Sequence, residues 1–426
     1  MLQKCKTKPM SYVPRIIEKE IELKLNSSGA ILIKGPKACG KTETASQMAE
    51  SILKVDQDEQ VPYIMAAQPK RLLEGSTPRL IDEWQEQPKL WNFIRHEIDA
   101  RKLKAQFILT GSSTPDEDVR LHSGAGRFTT ATMRTMTWQE LGYSTGQTSL
   151  TNLLSDNRIK ISDETTDLER IIERIIKGGW PGLLKSNVDE SILLNQSYID
   201  LIAEVDMSRI SNIKRDPVKV KHLFRSLARN TSTLVSTTAI IKDMKEFDNE
   251  NVSRPTVYEY LDELERLMII ENQPAWNTHL RSSSSLRKSP KRHFTDVSLS
   301  VAALGADKQS LLKDIKFTGF LFESLVTHDL RVYAQAINAQ VYHYTDSSGL
   351  EVDCIVQKRN GDWAAFEIKL GIGMVEEAAS NLKKLVDSLD LKKISLPKSL
   401  NIIVGTGLSH IRADGINVIS LSSIGV

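Results

Sequence analysis

The sequence predicts a multi-domain α/β protein, on three observations. Short apolar runs alternate with amphipathic segments across residues 15–142, the pattern of a parallel sheet covered by helices. A helix-rich, locally basic middle follows. Towards the end, an apolar helical run, "FTGFLFESLVTHDL", precedes two strand-like runs, "EVDCIV" and "WAAFEIKL". At 426 residues the chain exceeds one ordinary domain of about 150. The divisions expected are 1–142, 143–205, 206–292 and 293–426.

"AILIKG" reads as a buried strand entering "GPKACGKT", Gly35–Thr42, which has the GxxxxGK[ST] spacing of a phosphate-binding loop. Gly35 and Gly40 permit the turn, and the backbone of Pro36, Lys37, Ala38 and Cys39 lines it. Lys41 is expected to meet the β- and γ-phosphates of ATP and Thr42 to coordinate Mg²⁺, with "KTETASQMAESIL" continuing as one helix. "PRLIDEWQ" supplies the strand whose acidic end faces those phosphates, Asp82 holding Mg²⁺ and Glu83 polarising the attacking water.

"QFILTGSS" is a third strand, ending in hydroxyls at Thr110, Ser112 and Ser113. Ser112 either senses the γ-phosphate or caps the strand end. Arg127, in the Gly-rich "HSGAGRF", either reaches nucleotide in its own or a neighbouring subunit as an arginine finger or forms a structural salt bridge.

Residues 143–205 read as helices interrupted by "KGGWPGLL", where Trp180 anchors the turn. "RISNIKRDPVKVKHLFRSLAR" carries seven Lys/Arg and one acid, and two further helices follow it. The last, "TVYEYLDELERLMII", has Ser253 as N-cap and Val257, Leu261, Leu264 and Leu267 on one face. This is the order of a winged-helix or helix-turn-helix unit, which serves either DNA or a protein partner. Glu259, Asp262, Glu263 and Glu265 oppose phosphate contact through that helix. "RSSSSLRKSPKR", Arg281–Arg292, is a linker or a phosphate-binding strip.

The turn "KRNGD" joins "EVDCIV" and "WAAFEIKL" as a hairpin. Glu367 and Lys369, two residues apart, share a face, and Asp353 on the partner strand comes close to both. Two carboxylates and a lysine in this D-x₁₃-E-x-K pattern suit a divalent ion, Mg²⁺ or Mn²⁺, and phosphodiester chemistry, with Glu323 on the preceding helix as a further ligand. A solvated strand face is the competing reading.

Composition sets the outer limits. With 56 Lys+Arg against 54 Asp+Glu and a net charge of +2, any nucleic-acid site is a local patch. Cys5, Cys39 and Cys354 fit neither a metal spacing nor a disulfide framework, which suits a reducing cytosol. No run approaches the roughly 18 apolar residues of a membrane helix, and "MLQKCKTKPM" lacks the apolar core of a signal peptide, so a soluble cytoplasmic protein is expected.

"GPKACGKT", "PRLIDEWQ", "FILTGSS", "GAGRF", "GGWPGLL", "KSPKRHFTDVSL", "GFLFESLV" and "GLEVDCIV…FEIKLG", in that order, resemble bacterial and archaeal ATP-binding proteins that join an AAA+ ATPase to a C-terminal restriction-endonuclease-like, PD-(D/E)XK domain. The resemblance covers residues 15 to about 410. It implies an AAA+ P-loop NTPase domain with a helical lid, a winged-helix middle domain and a nuclease-like last domain. It also implies Mg-ATP at Lys41, Thr42, Asp82 and Glu83, a nuclease centre at Glu323, Asp353, Glu367 and Lys369, and an ATP site shared between subunits of a homo-oligomer. "KSPKRHFTDVSL" then becomes an ordered segment entering the last domain. Thr345 departs from the pattern, standing where relatives tend to carry a basic residue. The expectation is an ATP-hydrolysing protein acting on DNA through a metal-dependent nuclease or nuclease-like domain. The alternative is a nucleotide-switched scaffold with a silent nuclease fold and protein partners.

Overall fold

The computed structural model describes residues 12–111, 124–155, 159, 161–211, 213–245, 252–277 and 289–426, and the chain divides into two compact units, Met1–Arg134 and Thr135–Val426.

The first unit holds α1 (Glu18–Ser27), β1 (Ala30–Lys34), α2 (Lys41–Ser46), β2 (Ser51–Lys54), α3 (Val61–Ala67), β3 (Arg79–Asp82), α4 (Leu90–Arg101), β4 (Phe107–Gly111) and β5 (Phe128–Thr132). The strands form one parallel sheet in the order β2-β3-β4-β1-β5. Strand β1 is apolar without alternation because both its faces are covered: Ala30 and Leu32 pack with Ile81, Leu109 and Trp91, and Ile31 and Ile33 with Ile17, Ile21 and Ile108. The crossovers bring the C-terminal ends of β1, β3 and β4 side by side, where an open parallel sheet binds its ligand. One expectation fails here. The helix after the loop ends at Ser46, and Ser51–Lys54 pair with β3 as an edge strand instead of extending the helix.

The second unit begins with β6 (Thr148–Ser149), α5 (Leu150–Leu153), α6 (Leu168–Lys177), α7 (Val188–Leu201), a π-helical turn at Ile202–Asp206 and α8 (Met207–Ser211). Next come α9 (Pro217–Arg229), α10 (Thr237–Lys245), α11 (Arg254–Arg266) and an antiparallel ribbon of β7 (Ile270–Gln273) and β8 (Lys291–Phe294). Ser253 caps α11 as expected, accepting from Thr256 N at 3.3 Å, and Val257, Leu261, Leu264 and Leu267 are buried. They share one core with Trp180, Ile199 and Ile202, so the expected cut at 205/206 divides a single core.

The unit ends with α12 (Ser298–Leu304), α13 (Lys308–Lys313), α14 (Ile315–Ala336), β9 (Ala339–Thr345), β10 (Glu351–Lys358), β11 (Trp363–Lys369), α15 (Val375–Asp387), β12 (Leu400–Val404), β13 (His410–Ile411), β14 (Asn417–Ser420) and β15 (Ile424–Gly425). Six of the strands form a mixed sheet, β13-β14-β12-β11-β10-β9, in which β10 and β11 are the expected antiparallel hairpin. The expected boundary at 292/293 falls inside β8, and the one at 142/143 lies eight residues past the division after Arg134.

A buried carboxylate explains why "GGWPG" and "HFTDVSL" read as motifs. Asp296 accepts from Gly179 N at 2.7 Å, Thr135 Oγ1 at 2.7 Å, and Ser298 N and Oγ at 3.0 and 2.7 Å. A Cβ on Gly179 would lie 2.2 Å from Met136 O, so only glycine permits this approach. Among the described residues no helix is long and apolar enough to cross a membrane.

Candidate functional site

In the first unit the loop Gly35–Gly40 leaves β1 and returns to α2. A Cβ on Gly35 would lie 2.3 Å from Met133 O and 2.9 Å from Cys39 Sγ, which restricts the position to glycine. Ala38 and Gly40 take left-handed φ values of 62° and 99°. Lys41 is buried and folds back over the loop, its Nζ donating to Gly35 O at 3.0 Å and Pro36 O at 2.8 Å. Lys37 lies in the same loop, at the turn before Ala38.

Strand β3 delivers Asp82 beside it. Thr42 Oγ1 donates to Asp82 Oδ1 at 2.8 Å, and Thr110 Oγ1, at the end of β4, donates to the same oxygen at 2.5 Å. Two hydroxyls, from the first turn of α2 and the end of β4, thus converge on one carboxylate oxygen. Glu83 follows in a left-handed conformation at φ 51° and accepts from Gln85 Nε2. Burial, only partly offset by Gln85 and Lys41, raises its carboxyl above the usual range.

Sequence reading missed Arg15. It is buried, and its guanidinium donates to Cys39 O at 2.9 Å and Arg134 O at 2.8 Å, clamping the loop to the end of β5. Nothing in the motif spacing marks it, because it lies twenty residues upstream of Gly35. Ser112 lies outside the described residues. Arg127 precedes β5, where its carbonyl accepts from Ala30 N at 3.1 Å. That is the start of β1, the end of the sheet away from the loop, so the expectation that Arg127 reaches nucleotide in its own subunit is corrected. Its guanidinium pairs with Asp99 at 2.7 Å.

In the second unit, α14, β10 and β11 bring Glu323, Asp353, Glu367 and Lys369 together, and β8 adds Lys291. Lys369 Nζ lies 2.6 Å from Glu367 Oε2 and 3.3 Å from Asp353 Oδ2. Lys291 Nζ lies 2.9 Å from Glu323 Oε1, 2.6 Å from Glu351 Oε1 and 3.8 Å from Asp353 Oδ1. The backbone N of Ile368 donates to Asp353 Oδ2 at 2.8 Å.

Burial and the neighbouring Asp353 raise Glu323 to about 7 against the pull of Lys291, and burial and Asp353 raise Glu367 to about 9. Burial also opposes the charge on Asp353, but the two ammonium groups and the Ile368 amide overcome it and hold that carboxyl below its usual value. Lys291 remains charged because its carboxylate partners outweigh its desolvation.

This corrects the solvated-face reading, since Asp353 and Glu367 are buried and Lys369 is turned towards both of them. The metal expectation is corrected too. Among the described residues no group of three or more His, Cys, Asp or Glu side chains is disposed to hold a metal ion. The oxygens of Glu323, Asp353 and Glu367 expected to face Mg²⁺ or Mn²⁺ are turned to two lysines instead. Lys291 was legible only as part of "KSPKRHFTDVSL".

Comparison with known proteins assigns families to segments. Residues 27–142 match an AAA domain, residues 168–310 a domain of unknown function (DUF8612) and residues 318–424 another (DUF4143). The matched segment 27–142, most of which lies in the first unit, is an AAA-type, ATPase-like domain. Uncharacterized proteins of Mycobacterium tuberculosis and Mycobacterium bovis are each 23% identical to this chain over 351 residues, covering 81% of it and 71% of theirs. Among solved structures, a Walker-type ATPase of Pyrococcus abyssi is 11% identical, spanning 67% of this chain and 94% of that one at a TM-score of 0.42. A RuvB variant of Thermotoga maritima is 15% identical, spanning 61% and 89% at 0.27.

Proposed function

We propose that this chain is an ATP hydrolase acting on DNA, in which the nucleotide state of the first unit controls a nuclease-like, DNA-binding C-terminal domain. The observation that carries the reading is the pairing, in one chain, of the loop-and-Asp82 arrangement with the convergence of Glu323, Asp353, Glu367 and Lys369 from three elements.

At the first site the residues suit Mg-ATP, since the Thr42 hydroxyl and the Asp82 carboxylate meet beside a loop that packs too closely on Met133 O to admit a Cβ at Gly35. Lys41 exchanges the Gly35 and Pro36 carbonyls for the phosphates, and the Thr110 hydroxyl fixes Asp82. Glu83, its carboxyl made more basic by burial, accepts a proton from the attacking water. Mg²⁺, when bound, supplies neutralising charge on the β- and γ-phosphates. Arg127, placed at the far end of its own sheet, acts only on a neighbour's nucleotide, within a homo-oligomer.

At the second site a divalent ion does not fit the residues as they stand, so no cleavage step is derived and the domain is taken as a DNA reader with a restriction-endonuclease-like fold. The helices α9 to α11 and the β7–β8 ribbon follow the order of a winged helix. Two of the four acids that argued against phosphate contact share one counter-charge, because Arg215 pairs with Glu263 and, at 2.9 Å, with Glu259. Arg254 and Tyr258 are exposed on the first turns of α11.

The test is binding of labelled duplex DNA by anisotropy across salt concentrations, with and without ATP, for wild type and Lys41→Ala. Affinity that falls with salt and responds to ATP only in wild type supports the reading. The lysine-neutralised centre favours a second reading, a nucleotide-switched scaffold, which an absence of DNA affinity at low salt would select.

A further inference from the structure

The geometry points to Lys291 as the resident cation of the C-terminal carboxylate cluster: its ammonium occupies the place of a divalent ion, and removing it opens a metal site that the native chain does not present. The inference rests on the nuclease-like reading only for the choice of Mn²⁺ as probe.

Lys291 sits on β8, 1% exposed, with its Nζ 2.9 Å from Glu323 Oε1, 2.6 Å from Glu351 Oε1 and 3.8 Å from Asp353 Oδ1. A hard divalent cation needs oxygens of this kind at roughly 2.0–2.6 Å on several sides. An ammonium already within hydrogen-bond distance of two carboxylates fills that volume. Its charge also repels an incoming ion, and Lys369 adds a second positive charge 3.3 Å from the other oxygen of Asp353.

The lysine has little freedom to withdraw. Strand β8 is fixed by its register with β7, where Lys291 faces Gln273, and neighbouring His293 is held by Gln273 Oε1 and Ser324 Oγ, each at 3.1 Å.

A second feature belongs to the same cluster. Glu367 Oε1 is buried and accepts no hydrogen bond, an unusual state for a buried polar oxygen. Its sister oxygen Oε2 pairs with Lys369, so Oε1 is a ligand oxygen that neither ammonium group takes up. With Lys291 gone, Glu323, Asp353 and Glu367 offer a hard ion enough oxygens.

The experiment is Mn²⁺ titration of the nucleotide-free full chain, read by the electron paramagnetic resonance of free Mn²⁺. The variants are Lys291→Met, Glu367→Gln and the two combined. Glu367→Gln identifies ions held by this cluster and discounts any held by Thr42 and Asp82.

Wild type and Glu367→Gln are expected to give superimposable isotherms. Lys291→Met should gain one equivalent of Mn²⁺ at least tenfold tighter than any Glu367-dependent binding in wild type, and the combined variant should lose it. A wild-type equivalent that disappears in Glu367→Gln would overturn the proposal, as would a folded Lys291→Met that gains nothing. If Lys291→Met fails to fold, the wild-type and Glu367→Gln isotherms decide the matter alone. DNA affinity measured on the same samples is a separate readout, so loss of the DNA-binding reading and loss of this inference are told apart.

Discussion

The phosphate loop of the first unit and the carboxylate cluster of the second solve the same problem, holding acidic groups where phosphate chemistry could occur, by opposite means. At the loop, Asp82 keeps its position through two neutral hydroxyls, Thr42 and Thr110, and the ammonium of Lys41 is engaged by the backbone carbonyls of Gly35 and Pro36. That arrangement can be undone by an arriving ligand at the cost of a few ordinary hydrogen bonds. In the cluster, the carboxyl groups are paired with two lysines, one of them almost wholly buried. Displacing such a group means separating buried opposite charges, which is far more costly. The loop is built to exchange partners and the cluster to keep them.

The most damaging test of that contrast is Lys41→Ala, which should lower ATP hydrolysis by about 10²–10³-fold, as removal of one pre-aimed charge-stabilising group does. Unfolding curves should barely move, because the lysine's partners are backbone carbonyls at the loop. Lys291→Met should do the reverse. It leaves buried carboxylates uncompensated, so denaturant titration should report a loss of about 3–5 kcal/mol in the second unit, with basal hydrolysis in the first unchanged.

Arg15→Ala, which removes the clamp between Cys39 O and Arg134 O, should cost about 1–3 kcal/mol and weaken nucleotide affinity measured by fluorescence. A smaller effect separates the sites by pH. Glu367, raised from 4.5 to about 9, binds its proton in the folded chain at pH values where the unfolded chain has lost it. Its contribution is full below about pH 4.5 and is lost as pH rises through about 9. Stability of the second unit should therefore fall more steeply over that window in wild type than in Glu367→Gln. Smallest of all is Arg127→Ala, whose exposed pair with Asp99 is screened by solvent. Hydrolysis by dilute monomer should not change, and a drop confined to concentrated, assembled protein would show action on a neighbour's site.

Legibility followed contiguity. Gly35–Thr42 and Asp82–Glu83 could be read directly, because each chemical role there is tied to a short local spacing. The hairpin was equally legible: "KRNGD" marks the turn between two short strands, and a two-residue spacing puts Glu367 and Lys369 on one face. Arg15 and Lys291 were not, since each acts through contacts whose partners lie far along the chain, and a lone basic residue at the start of an element carries no period. The fate of Ser51–Lys54 was misread for a related reason. "SQMAESIL" continues a helical pattern locally, and only its pairing with Arg79–Asp82 ends it. The domain limits were off where one core, built from Trp180 and Ile199 as well as Val257 and Leu264, spans segments that composition divides.

The central claim is that ATP turnover in the first unit answers to DNA held by the second. It is tested most directly by the steady-state rate of ATP hydrolysis with and without duplex DNA at low salt, in wild type and in the Lys41→Ala variant. The account predicts a rate that rises with DNA in wild type, falls back as salt displaces the DNA, and is absent in Lys41→Ala. Hydrolysis by wild type that is identical with and without DNA, under conditions where anisotropy detects no DNA binding, would contradict it.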